Sequence, residues 1–108
     1  MTTPSKPRIV KDYEKLEPSI IEQIKLEYPY GFYQHLVSYV DREGKKRMAL
    51  PFETEEKYYL VRMSIQEAKD IIEEDDDYDD DGTLKEDILQ DYAEKYDDDI
   101  DEDEEEED

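Results

Sequence analysis

Leu16, Ile20, Ile24 and Tyr28 recur at helical spacing with Ile21 beside them, and the pattern predicts a helix with one buried face. Pro18 stands near its start, and Ser19 precedes Glu22 by three residues, the reciprocal spacing that satisfies unpaired amides at a helix N-terminus. Pro29 ends it, because proline lacks the amide donor and disfavours helical geometry in the residue before it. From Phe32 the period falls to two. Leu36, Ser38 and Val40 alternate with Val37, Tyr39 and Asp41, which predicts a strand with one mostly apolar face. Gly44 supplies a turn, and Met48, Leu50 and Phe52 then alternate to close an antiparallel hairpin. Pro51 requires that the second strand be an edge there or end there. A third strand follows over Tyr58 to Met63, the richest stretch in β-branched and aromatic residues.

Ser64 and Glu67 repeat the capping spacing before Ile65, Ala68 and Ile72, so a second helix of about ten residues is expected, fraying into the acids from Glu73 to Asp77. Thr83 and Glu86 give the same spacing a third time. Leu84, Ile88, Leu89, Tyr92 and Tyr96 then lie on one helical face, and they are candidate contacts for a partner or for the domain itself. Pro4 and Pro7 mark residues 1-10 as a flexible arm. The expected fold class is α+β: a helix, a three-stranded antiparallel meander and a helix, followed by an acidic amphipathic helix and a disordered tail. The boundaries are a flexible arm at 1-10, a small α+β domain at 11-74, an acidic linker at 75-83, an amphipathic acidic helix at 84-96 and a disordered acidic tail at 97-108.

Charge changes this picture most. Residues 1-72 hold 12 Lys or Arg and 12 Asp or Glu, whereas residues 73-108 hold 2 basic and 23 acidic residues, so the net −21 belongs to the last third. The chain is thus a neutral module carrying a polyanion, and dense like charge with little apolar surface favours a solvated segment. Its natural target is a basic protein surface built to bind nucleic acid, for example in the transcription or translation machinery. A passive solubilising tail would not need five apolar residues on one helical face. The absence of cysteine excludes disulfides and thiolate metal sites. With no apolar leader and no run approaching a membrane span, the chain is expected to be cytoplasmic, monomeric and without a membrane partner.

Asp77, Asp79 and Asp81 occupy positions 1, 3 and 5 of an EF-hand-like calcium loop, with Gly82 at 6 and Leu84 at 8. Position 12 falls on Ile88 instead of the bidentate Glu. Weak condensation of Ca2+ or another divalent cation is therefore expected, and no other cofactor. His35 is the only histidine and has no orienting partner in view, so no catalytic residue is assigned and an enzyme is not expected. Ten tyrosines, with Tyr58 and Tyr59 on opposite strand faces, are expected to complete and rim a small core, or to form an aromatic contact patch. Lys45, Lys46 and Arg47 could place phosphate beside such a patch, but the polyanion competes for them and disfavours direct nucleic-acid binding.

The segments KDYEKLEPSIIEQIKLEYPYGF and ALPFETEEKYYLVRMS resemble an uncharacterised family of short bacterial proteins with a small folded N-terminal region and an acidic C-terminal tail. In layout alone the chain is also similar to the delta subunit of some bacterial RNA polymerases, where a small ordered domain precedes an acidic region. Three functions remain open. The first is a noncatalytic interaction protein whose acidic region engages or shields a basic, nucleic-acid-binding surface. The second is a divalent-cation-responsive protein using the loop at 77-82, and the third is an RNA-binding module whose tail limits nonspecific binding.

Overall fold

The fold is given by a computed structural model, which describes residues 7–96. The expected tail at 97-108 and the first part of the expected arm lie outside the described residues. Strands β1 (Arg8–Asp12), β2 (Val37–Val40), β3 (Lys46–Glu53) and β4 (Tyr58–Arg62) form one sheet in the order β1-β4-β3-β2. The predicted meander is β2-β3-β4, antiparallel throughout, with Ser38 opposite Met48 and Phe52 opposite Tyr59.

The strand count is a correction. Residues 8–12, placed partly in the flexible arm, pair parallel with β4, Ile9 standing opposite Tyr59 and Lys11 opposite Val61. A parallel pair needs a long crossover, and here the intervening helix and hairpin supply it. β1 carries no alternating apolar pattern because it is an edge strand with a single core-facing anchor, Ile9, among Arg8, Lys11 and Asp12.

Helix α1 (Pro18–Glu27) starts at Pro18, with Glu17 as its N-cap and no side-chain cap. Proline at the first helical position carries Ser19 inside the first turn, where its hydroxyl cannot cap; the predicted Ser19–Glu22 box does not form. Helix α2 (Ile65–Glu74) keeps its box in full: Glu67 N donates to Ser64 Oγ (3.0 Å) and Ser64 N to Glu67 Oε1 (2.8 Å). Helix α3 (Glu86–Lys95) is capped by Lys85 without a side-chain bond, because Leu84 is held in a bridge to Tyr78 and Thr83 N bonds Asp79 Oδ1 (3.0 Å) instead. Pro51 fits β3 because β2 reaches only Ala49, and the Pro51 carbonyl on the outer edge accepts from Tyr28 Oη instead of a strand.

The helices cover one sheet face. Leu50, Phe52, Tyr59, Val61 and Met63 meet Leu16 and Ile24 from the α1 side and Ala68 and Ile72 from α2. Phe32 enters after a turn in which Gly31 has φ 108°, a conformation that excludes most side chains. Tyr78 and Leu84, both from the acidic third, close the same core at 5% and 3% exposure. Residues 75–83, expected to be a linker, are therefore built into the domain.

Candidate functional site

One buried cation of α1 binds two aspartates of the acidic third. Lys25 follows Ile24 on the inner side of α1 and is 7% exposed. Its Nζ lies 2.7 Å from Asp75 Oδ2 and 2.8 Å from Asp77 Oδ2. Burial alone would push the ammonium down, but hydrogen bonds and charge from the two aspartates raise it above the ordinary lysine value. Burial likewise works against the Asp77 carboxylate, yet hydrogen bonds from Lys25 and Tyr92 hold it below the usual range. Tyr92 Oη donates to Asp77 Oδ2 (2.7 Å), and burial together with that carboxylate pushes its phenol up to about 12.

Two further groups meet this centre. Tyr78 Oη donates to the Tyr28 carbonyl (3.0 Å), and burial raises its phenol well above the normal value. The Tyr13 hydroxyl is buried with no hydrogen-bond partner, and burial followed by the Asp75 and Asp77 charges raises it too. A second latch closes the end of α3. Tyr96 Oη donates to Glu22 Oε1 (2.6 Å), Lys95 Nζ lies 2.9 Å from the same oxygen, and these bonds lower the Glu22 carboxyl.

This geometry relocates the residues singled out from the sequence. Leu84 is in the core, Ile88 and Leu89 pack against it, and Tyr92 and Tyr96 bond Asp77 and Glu22. Of the two contacts that the sequence left open for these five, partner or domain, the structure shows the second: their shared face packs in cis, with α3 along α1. The three loop aspartates do not converge. Asp77 is turned to Lys25 and Tyr92, Asp79 Oδ1 accepts from the amides of Asp81 and Thr83 (2.9 and 3.0 Å), and Asp81 is exposed. Among the described residues no group of three or more His, Cys, Asp or Glu is placed to hold a metal ion. His35 is exposed, and its ring lies tilted against Tyr28 with centroids 4.9 Å apart. Tyr59 is buried, whereas Tyr58 is half-buried; Tyr30 (70% exposed) and Tyr33 (45%) reach solvent, the latter beneath Lys69.

The neutral module is polarised. Exposed Arg42, Lys45 and Lys46 sit at the β2–β3 turn, beside Arg47 paired with Asp41 and Arg62 paired with Asp12 (2.9 Å each). At the opposite end of β3, an open groove runs between α1 and the β3–β4 hairpin. Glu17, Glu27, Glu55 and Glu56 rim it, and Ile20, Tyr28, Phe52 and Tyr58 supply its apolar surface. Sequence reasoning missed both Lys25 and the groove. Lys25 had a signal, since it lies at helical spacing from Ile21 and Tyr28 and so falls on the inner face. The groove had none, because its walls come from segments remote in sequence.

No helix among the described residues is long and apolar enough to cross a membrane. Comparison with protein-family models, with curated proteins and with solved structures finds no match.

Proposed function

We propose that this chain is a noncatalytic interaction protein whose acidic C-terminal region engages or shields a basic, nucleic-acid-binding surface of another protein. The observation that carries the reading is the placement of charge: 11 of the last 12 residues are acidic. That run begins immediately after Tyr96, the residue bonded to Glu22, so the polyanion is rooted on a folded module. Successive residues of an extended polypeptide advance about 3.3 Å, close to the roughly 3.4 Å of helix axis per phosphate of one DNA strand. A run of acidic residues thus offers a basic cleft a comparable line of charge. Attraction of this kind speeds encounter and is screened over about 8–10 Å at physiological salt.

The test is displacement. A basic histone-like protein is loaded with fluorescent duplex DNA and titrated with the full chain, or with the full-length chain in which the 11 acids of residues 97–108 are changed to Asn and Gln. The reading predicts release of DNA by the first, weakened as salt rises, and little release by the second. Equal release by both would remove the polyanion from the account.

A further inference from the structure

We infer that the groove between α1 and the β3–β4 hairpin is the seat on the folded module for an extended Lys- or Arg-rich segment of the basic partner. The inference rests on the proposed function and gives it a second contact. Five of the described carboxylates are neutralised internally. Asp12, Glu22, Asp41, Asp75 and Asp77 each pair with a cation within the chain. Among the described residues, Glu17, Glu27, Glu55 and Glu56 make no ion pair, and Lys57 is the only basic side chain in the groove lining. The charge of these four glutamates is available to an external cation.

The apolar surface makes the choice of cation narrower. The half-buried Tyr28 and Tyr58 present aromatic surface beside the glutamates, a combination suited to guanidinium or ammonium groups, which gain from the ring face and the carboxylate together. Simple metal ions would gain nothing from the rings. Glu22, which holds Tyr96 and Lys95, belongs to the same helix but lies on the face turned away from the groove wall formed by Ile20, Gln23 and Glu27. The polyanion is therefore rooted on the helix that forms one side of the groove.

The experiment uses the full-length chain with residues 97–108 neutralised to Asn and Gln, so that the tail cannot mask the groove. The probe is a fluorescein-labelled twelve-residue peptide alternating Arg and Ala, read by anisotropy and by backbone amide shifts. Binding should persist, with shifts at Ile20, Tyr28 and residues 52–58. The added substitutions Glu27→Gln, Glu55→Gln and Glu56→Gln, all at exposed positions, should weaken it by about tenfold while the dispersed amide spectrum is retained. Tyr58→Ala should weaken it as well. Loss of all peptide binding on neutralising the tail would overturn the groove and leave the polyanion reading standing. Failure of the unaltered full chain to bind the peptide would overturn both. Shifts centred elsewhere, or concentration-dependent self-association that places the Arg42–Arg47 turn of a second copy in the groove, would also overturn the inference.

Discussion

Lys25 shows how one side chain determines what the acidic third is. An ammonium removed from water is costly unless it is paired, and here two carboxylates pair with it, one of them also accepting from the Tyr92 hydroxyl. Lys25→Ala should therefore destabilise the fold by about 2–4 kcal/mol in urea unfolding, since Asp75 and Asp77 would be left partly buried and unpaired. The shifts also define a pH window. Asp77 and Glu22 are depressed, so their contribution is present above the unfolded carboxylate values of about 4 and is lost as pH falls through the lower folded ones. Lys25 is raised, so its contribution is present below about pH 10.4 and is lost as pH climbs through the folded value. Tyr13, Tyr78 and Tyr92 are raised as well, and above about pH 10 the unfolded chain ionises phenols that the fold keeps neutral. Unfolding midpoints should form a plateau at neutral pH and fall on both sides. In Asp77→Asn the neutral-pH value should drop and the acid limb should flatten.

At the scale of elements, three matching capping patterns gave one capping box. Ser64 and Glu67 form it because nothing competes for the first turn of α2; Ser64→Ala should cost about 1 kcal/mol, measured by chemical denaturation. The other two lose to their neighbours, Ser19 to Pro18 and Thr83 to the Tyr78–Leu84 bridge. The meander and all three helices were legible because each carries its own periodicity. Strand β1 was not, since its place depends on parallel pairing with a strand some fifty residues away, Ile9 to Tyr59. The same applies to α3. Its apolar face could be read from Leu84 to Tyr96, but the surface covering it depends on Lys25 and Glu22 in α1. Leu84→Ala should cost about 2–3 kcal/mol, and the amides of Glu86–Lys95 should exchange slowly with the rest of the fold. Calcium titration should give a shallow, salt-suppressed curve, because Asp77 is engaged by Lys25 and Asp79 by two backbone amides.

For the whole molecule, the net zero of residues 1-72 conceals two poles at opposite ends of β3. The basic pole, around the β2–β3 turn, is partly neutralised by Asp41 and Asp12. At the acidic pole Glu17, Glu27, Glu55 and Glu56 make no ion pair among the described residues, and the polyanion of residues 97–108 follows Tyr96, which is bonded to Glu22 on the other face of α1. Acids of the preceding segment serve the fold: Asp75 and Asp77 bind Lys25, and Asp79 shapes a turn. The most direct measurement is the salt dependence of affinity between the chain and a basic nucleic-acid-binding protein, taken with the native chain and with residues 97–108 neutralised. The account predicts a steep fall of log K with log salt for the native chain, and weaker affinity with a much shallower slope once the acids are removed. Identical affinities and slopes for the two would contradict it.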